Sequence, residues 1–198
     1  MTTQIGVRVI YLIRHGQTVL NKAGALQGRS DQPLNEAGIA QAQEAAAKLA
    51  ERGVSFEHVY ASPLRRAIQT AQIVAPDLPV QVDERLIEMD YGPYEGADLG
   101  NLPPEVLTFF QDFVHNPAPD GMEQLADVVA RTGAFIETLA GLDGDALVST
   151  HAIAMKGILE YLTPTSAGSY WSKHLGNCEV YTVANGRGRL DVPRPLFA

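Results

Sequence analysis

The chain has 198 residues, of which 45% are hydrophobic and 19% are charged, and its formal net charge at pH 7 is −8. This composition excludes a disordered or fibrous chain and suits one globular domain, so we expect residues 1–198 to form a single domain. The negative charge argues against nucleic acid and anionic membranes as partners, because both bind through a positive surface field.

The first predicted element is a buried strand that ends in polar residues. Residues 7–13 are almost continuously apolar and largely β-branched, with only Arg8 interrupting, which is typical of a strand buried on both faces in a parallel sheet. Arg14, His15 and Gly16 follow directly. Because glycine permits a sharp turn, this strand delivers two polar side chains to its C-terminal end, where ligands bind in open α/β sheets.

Helices and strands alternate along the rest of the chain. The further predicted strands cover residues 57–61, 146–149 and 178–184, and the predicted helices cover residues 36–51, 63–74, 104–114, 123–140 and 153–162. Asn35 and Ser62 are the predicted N-caps of the first two helices, and Pro63 opens the second. The alternation predicts an α/β fold, a three-layer αβα sandwich with a largely parallel central sheet.

Two histidines, His15 and His151, stand at the C-terminal ends of apolar strands. Strand ends in one parallel sheet share an edge, so we expect the two imidazoles to lie near each other. A histidine alone is more often structural or exposed.

An anionic substrate would also need a cluster of cationic groups to overcome the negative net charge, so the placement of arginines is informative.

Targeting and redox signals favour a cytoplasmic protein. The N-terminal segment lacks a basic stretch followed by a long apolar run, and no window reaches the ~20 apolar residues of a membrane-spanning helix. The single cysteine, Cys178, has no partner for an intramolecular disulfide, and we expect a buried, inert thiol. The oligomeric state stays open, with a homodimer among the alternatives.

The residues that carry chemistry fall in five ordered blocks. They are Arg14-His15-Gly16-Gln17-Thr18; Asn21 with Gln27-Gly28, Asp31 and Pro33-Leu34-Asn35; Ser62-Pro63-Leu64-Arg65-Arg66-Ala67; Glu88 with Tyr91-Gly92 and Glu95-Gly96; and Ser149-Thr150-His151. In order and separation these blocks resemble the histidine phosphatase superfamily, in its phosphoglycerate mutase-like branch. The resemblance spans most of the chain.

The resemblance implies that His15 attacks phosphorus and forms a phosphohistidine. Such a nucleophile needs a neutral imidazole, oriented by a bond from its other ring nitrogen to a backbone carbonyl. Arg14, Arg66 and His151 would form the phosphate pocket, because fixed donors stabilise the charge that spreads over the phosphoryl oxygens. Arg65 is interpreted as a solvated helix residue or an outer substrate contact.

The resemblance also implies further binding residues around the phosphate. Asn21 and Gln27 would supply neutral donors, and Gly28 would allow a close backbone approach. Ala152, next to His151, belongs to the same expected set. From the residues alone, Asn21 is equally well explained as a turn residue, since asparagine satisfies local backbone groups in loops.

Glu88 matches the general acid of the family, which protonates the leaving alkoxide and later activates water. From the residues alone, Glu84, Asp90 and Glu95 stay open as alternatives.

No cofactor or metal is expected, because the chain lacks the H-E-x-x-H motif, Cys/His ligand spacing and a paired-aspartate phosphatase signature. The remaining histidines are interpreted as structural or exposed, namely His58, His115 and His174.

Two departures from the family pattern favour hydrolysis over isomerisation. Ala152-Ile153 stand where many relatives carry a glycine and the mutases carry glycine then asparagine, and the stretch 96–121 is shorter than the mutases' insertion. We therefore expect a metal-independent phosphomonoester phosphatase acting on a small phosphorylated metabolite. The alternatives are a cofactor-dependent phosphoglycerate mutase and a catalytically inactive phosphate-binding regulator.

Four apolar residues of the stretch 96–121 face either the core or a substrate cap, namely Leu107, Phe109, Phe110 and Phe113.

Overall fold

The computed structural model describes residues 8–186 and 188–197. The helices are α1 (Val19–Ala23), α2 (Glu36–Glu51), α3 (Arg65–Val74), α4 (Pro104–Gln111), α5 (Leu125–Glu137) and α6 (Ala152–Leu162). The strands are β1 (Arg8–Arg14), β2 (His58–Ala61), β3 (Val80–Val82), β4 (Ala146–Thr150), β5 (Val180–Gly186), β6 (Arg189–Leu190) and β7 (Arg194–Pro195). Residues 1–7, which include the start of the predicted first strand and the segment read for targeting signals, lie outside the described residues. None of the helices in the described ranges is long and apolar enough to cross a membrane.

The strands form one sheet in the order β3-β2-β4-β1-β5-β6, with β7 also paired to β5. The first four strands in this order are parallel to their neighbours, whereas β5 runs antiparallel to β1. Helices cover the sheet, which confirms the predicted α/β fold with a largely parallel central sheet. The short strands β3, β6 and β7 and the helix α1 were not predicted, since each offers too few residues for a periodic pattern.

Two apolar clusters bury the two faces of the sheet. Leu12 of β1 packs in a cluster with side chains of α5 and α6, and its neighbour Ile13 packs in a second cluster with side chains of α2 and α3. Both side chains are fully buried. Successive residues of a strand point to opposite faces, so a strand buried on both faces is apolar throughout, as the sequence of β1 indicates.

The parallel pairing of β1 with β4 sets the position of both strand-end histidines. Arg14 of β1 pairs in register with Thr150 of β4. One residue further along, the backbone N–H of His15 donates to the carbonyl oxygen of Thr150 at 2.9 Å. His15 and His151 therefore leave adjacent strands at the same level of the sheet edge, as expected from the sequence.

Several element ends differ from the sequence expectations for local reasons. α3 begins at Arg65, and its N-cap is Leu64, which has an extended backbone and makes no side-chain capping bond. The predicted cap, Ser62, is wrong because the helix begins three residues after it; its hydroxyl accepts the backbone N–H of Leu64 at 3.3 Å and also contacts a histidine. α4 ends at Gln111, three residues earlier than predicted. The Asp112 carboxylate accepts the backbone N–H groups of Val114 and His115 and so forms a turn.

The last long strand begins at Val180, two residues later than predicted. Cys178 precedes it with a φ of 56°, in the left-handed region that a β-strand excludes. The thiol is buried, and burial raises the pKa of Cys178 to about 12. The thiol therefore stays protonated at neutral pH, in agreement with the expected inert cysteine.

Candidate active site

His15 is buried at the sheet edge, with 3% of its surface exposed, and lines a cavity. Its Nδ1 lies 2.7 Å from the carbonyl oxygen of Gly16, and its Nε2 lies 3.2 Å from Nε of Arg66. A carbonyl only accepts and a guanidinium only donates, so the proton is on Nδ1 and the lone pair is on Nε2. Burial, and then the charges of Arg66 and Arg14, hold the pKa of His15 well below its usual value, so the imidazole is neutral.

Glycine is required at two positions near His15, one in the turn that follows it and one in a second loop. A Cβ on Gly16 would lie 2.4 Å from the carbonyl oxygen of Gly38 in α2, where the two backbones meet. Gly28 has a φ of 51°, and a Cβ there would lie 2.3 Å from a carboxylate oxygen of Glu95. The loop that carries Gly28 can therefore approach the pocket closely only with glycine at this position.

Arg66, in the first turn of α3, is fixed between the two histidines. Its two terminal nitrogens donate to the carbonyl oxygens of Ser30 and Gly28 at 2.7 and 2.6 Å. Its Nε lies 3.2 Å from His15 Nε2 and 3.2 Å from His151 Nδ1. Burial lowers the pKa of Arg66 to about 10, which leaves the guanidinium charged at neutral pH.

The neighbouring Arg65 is exposed and does not line the cavity. Its backbone N–H donates to the carboxylate of Asp31 at 2.7 Å. The structure thus places Arg66, and not Arg65, in the pocket. Helical geometry separates the two side chains by about 100° around the axis, which sends one to the core and the other to solvent.

His151, which is fully buried, supports Arg66 from the other side. Its Nε2 lies 2.7 Å from the hydroxyl oxygen of Ser62, and its Nδ1 accepts from Arg66, so the ring proton is on Nε2. Burial, and then Arg66 and His15, hold the pKa of His151 well below its usual value. The two imidazole centroids lie 5.1 Å apart. In this protonation state His151 positions Arg66 and has no N–H left for a ligand.

Two buried donors in the pocket have no acceptor among the residues that the structure describes. A terminal N–H of Arg14 donates to the carbonyl oxygen of Leu175, while the Nε of Arg14 has no partner among the described residues. Gln27 accepts from the Thr18 hydroxyl at 2.7 Å, and its amide nitrogen is likewise without a partner in the described ranges. Both side chains line the cavity. Buried donors are normally satisfied, so these two atoms are available to a ligand that accepts hydrogen bonds.

Glu88 is the carboxylate that lines the cavity, with 6% of its surface exposed. Its oxygens accept the backbone N–H groups of Met89, Ile153 and Ala154 at 2.8, 3.2 and 3.0 Å. The last two belong to the first turn of α6, where a carboxylate meets the positive end of the helix dipole. These bonds hold the carboxylate in the lining of the cavity.

The three alternative carboxylates lie outside the cavity. Glu84 is exposed, Asp90 lies 3.2 Å from a terminal nitrogen of Arg29, and Glu95 accepts the backbone N–H of Arg29 at 2.6 Å. The last two therefore fix the loop at Arg29. The tertiary structure separates Glu88 from its neighbours in a way that the local sequence does not.

The cavity has a volume of about 310 Å³ and gathers nearly all of the expected site residues. The expected residues in its lining are Arg14, His15, Asn21, Gln27, Gly28, Arg66, Glu88 and Ala152. His151 lies directly behind them, against Arg66. The chain therefore brings together residues from all five blocks of sequence.

Three cationic or titratable residues of the lining were not predicted as site residues, namely Lys156, Lys173 and His174. His174 is exposed, as expected, but also borders the cavity. Lys156 lies on the same face of α6 as Ala152, four residues earlier, and that spacing is the signal that would have found it. No local signal marks Lys173.

The aromatic residues of the middle segment divide between core and cavity. Phe109 is buried in an apolar cluster, whereas Phe110 and Phe113 line the cavity. Leu107 faces outward, with 44% of its surface exposed. Both interpretations of this stretch therefore apply, each to different residues.

The chain is similar to known proteins over most of its length. Residues 10–194 match the family model of the histidine phosphatase superfamily (branch 1). A Hydrogenobacter thermophilus protein assigned as phosphoserine phosphatase 2 is 30% identical over 180 residues, 88% of each chain. A Yersinia pestis protein assigned as a phosphoglycerate mutase is 31% identical over 182 residues, 88% of this chain and 83% of that one. The crystal structure of a histidine-to-alanine variant of Entamoeba histolytica phosphoserine phosphatase with phosphoserine has a TM-score of 0.81 and 26% identity, covering 96% of this chain and 95% of that one.

Proposed function

The chain belongs to the histidine phosphatase superfamily and is a phosphatase, and on that premise we propose that it hydrolyses a small phosphate monoester without a metal ion, through a phosphohistidine at His15. The observation that carries the proposal is the state of His15, a neutral imidazole with its Nε2 lone pair in a cavity beside Arg66. The donors of Arg14 and Gln27 that have no partner in the described part of the chain support a phosphate at the same place.

In the first step, Nε2 of His15 attacks phosphorus while the bond from phosphorus to the ester oxygen breaks. The leaving alkoxide takes a proton from the carboxylic acid form of Glu88. Arg66 gives up its contact with Nε2 and donates to a phosphoryl oxygen, so its positive charge stabilises the negative charge on the phosphoryl group. Arg14 and Gln27 supply further donors to the same group.

In the second step, water attacks the phosphohistidine, and the carboxylate of Glu88 takes a proton from that water. The bond from phosphorus to Nε2 breaks, phosphate leaves and His15 returns to its neutral form. Arg14 and Arg66 supply the positive charge that other phosphatases obtain from metal ions. A direct bond from His151 to phosphate needs a second ring proton, which a nearby dianion favours.

The experiment that tests the proposal measures phosphate release from a panel of monoesters in EDTA. We expect turnover by the wild type and by a His115→Ala control, whose ring is exposed and pairs with Asp112, and none by His15→Ala. A phosphoryl group on His15, trapped without acid and located by mass spectrometry, would identify the intermediate. Activity that EDTA removes contradicts the metal-free mechanism, and activity retained in His15→Ala contradicts the nucleophile.

Isomerisation is a second candidate, because one relative is assigned as a phosphoglycerate mutase. Ala152-Ile153 after His151 and the short middle segment favour hydrolysis. Conversion of 3-phosphoglycerate into 2-phosphoglycerate with a bisphosphoglycerate primer separates the two. Fast isomerisation with little free phosphate would replace the phosphatase proposal by the mutase.

A further inference from the structure

We propose that the cavity contains a second anion subsite at Lys156, so that the substrate carries an acidic group, a carboxylate or a second phosphate, besides its ester phosphate. This inference rests on the proposed phosphatase function and narrows its substrate class. It depends on a buried cation that the phosphoryl-transfer chemistry leaves unused.

Lys156 is a buried cation with spare hydrogen-bonding capacity. Only 8% of its surface is exposed, yet it lines the cavity. Its Nζ donates to the carbonyl oxygen of Trp171 at 2.8 Å and lies 5.7 Å from the ring centroid of Phe113. An ammonium group has three donors, and this is its only hydrogen bond within residues 8–186 and 188–197.

Lys156 also makes no salt bridge within the described residues, and the Glu88 carboxylate in the same cavity favours its charged form without pairing with it. No carboxylate of the described chain lies within salt-bridge distance of its ammonium group. A buried charge without a partner costs free energy, so such groups are paired or bind a ligand. An acidic group of the substrate would supply the missing partner.

The position of Lys156 suits one small molecule bound at both sites. His151 caps α6, and Lys156 lies five residues further on, about 7.5 Å along the helix axis at the usual rise per residue. The carboxylate of Glu88 is held between these levels by the backbone N–H groups of Ile153 and Ala154. A phosphate at His15 and an acidic group at Lys156 would therefore be joined by a short carbon chain.

The surroundings of Lys156 combine positive charge with apolar walls. Arg14 lines the same cavity, and Lys173 and His174 border it from the segment after α6. Burial lowers the pKa of Lys156 to about 8, so the ammonium form still prevails at pH 7, and an arriving anion favours it further. Phe110 and Phe113 add walls that offer a ligand no competing acceptor.

A purely structural role is the alternative. The bond to the Trp171 carbonyl would then fix the segment after α6, and replacing Lys156 would affect every substrate alike. The subsite instead predicts a selective effect on substrates with a second acidic group. The experiment is therefore built on pairs of esters that differ in that group.

The experiment measures kcat/KM for phosphate release from 3-phosphoglycerate against glycerol 3-phosphate, and from fructose 1,6-bisphosphate against fructose 6-phosphate. We expect the wild type to prefer the acidic member of at least one pair. Lys156→Met should lower that preference by about 10- to 100-fold, the effect of one charge-assisted hydrogen bond. Lys156→Arg should retain part of the preference. Lys48→Met, at an exposed lysine of α2 outside this cavity, should leave it unchanged.

The outcomes separate the subsite from the phosphatase function. A selective loss in the first pair supports a carboxylate, and one in the second pair supports a phosphate. A wild-type preference near one, or an equal loss for both members of each pair, overturns the subsite while the phosphatase function stands. If Lys156→Met does not fold, Lys156→Gln, which keeps a donor for the Trp171 carbonyl, decides in the same way. Phosphate release from other esters of the panel but from none of these four overturns the subsite alone, whereas its absence with the whole panel overturns both proposals.

Discussion

Nε of Arg66 lies 3.2 Å from Nε2 of His15, so the fixed cation contacts the nitrogen that we propose attacks phosphorus. This contact requires the ring proton to be on Nδ1, where the carbonyl oxygen of Gly16 accepts it at 2.7 Å. The same arginine that orients the lone pair also depresses the pKa of the imidazole. His15, the proposed nucleophile, and Arg66, the proposed charge stabiliser, are thus in direct contact.

The first prediction concerns the planar geometry of Arg66. Arg66→Lys removes the donors that contact two carbonyl oxygens and two ring nitrogens at once, because a lysine ammonium cannot span them. We expect kcat to fall by about 10²- to 10³-fold, as on removal of a transition-state donor. The matched control is Arg65→Lys on the exposed face of α3, measured with the same substrate. Equal losses in both variants would contradict the assignment of Arg66.

The second prediction concerns Ser62, which pairs with His151. Ser62→Ala leaves the Nε2–H of a fully buried ring without an acceptor, which should cost about 1–3 kcal/mol of the free energy of unfolding. It should also lower kcat, because His151 no longer holds Arg66 in place. Urea unfolding and steady-state kinetics measure the two effects.

The control for Ser62 is Ser149→Ala. The Ser149 hydroxyl is buried and donates to the carbonyl oxygen of Ala67 at 2.8 Å, so its loss should destabilise the protein without touching the histidines. We expect similar changes in stability but a larger loss of kcat in Ser62→Ala. Equal kinetic effects would show that Ser62 acts through stability alone.

The third prediction tests Glu88 as the proton donor. Glu88→Gln cannot give a proton to the leaving group, so turnover of alkyl phosphates should fall by about 10²- to 10⁴-fold. The loss should be much smaller for p-nitrophenyl phosphate, whose leaving group departs without a proton. The exposed Glu84→Gln variant should behave as the wild type. An equal loss with both kinds of ester would contradict the role of general acid.

The fourth prediction is a loss of stability at acidic pH. The pKa values of His15 and His151 are lowered by burial and by Arg66, so between the ordinary value of about 6.5 and the folded value the unfolded chain binds more protons. The free energy of unfolding should therefore decrease as the pH falls below about 6.5, by at most about 1.4 kcal/mol per histidine and pH unit.

Urea unfolding between pH 7.5 and 5, in buffers without phosphate, measures this dependence. His15→Asn removes one of the two contributions, so the slope against pH should decrease relative to the wild type. His115→Asn, at an exposed ring, is the matched control and should keep the wild-type slope. An unchanged slope in His15→Asn would contradict a neutral, buried imidazole at this position.

Local sequence predicted most of the regular structure because helix periodicity and caps act over a few residues. α2 spans residues 36–51, as predicted, since the Asn35 side chain accepts the backbone N–H of Gly38 and the buried residues recur at helical spacing. Where a side chain had a stronger distant partner, the local signal failed. Ser62 is such a case, because its hydroxyl binds His151, 89 positions away, and does not cap α3.

By itself, the sequence determined the family, the paired histidines and the pocket arginines, because these reside in short motifs at the ends of buried strands. Only the tertiary structure decided that Glu88, and not a neighbouring carboxylate, lines the cavity, and that Lys156 lines it without a salt bridge to any described residue. Burial and the positions of distant donors determine such properties. They depend on how strands and helices pack, which the local pattern of residues does not contain.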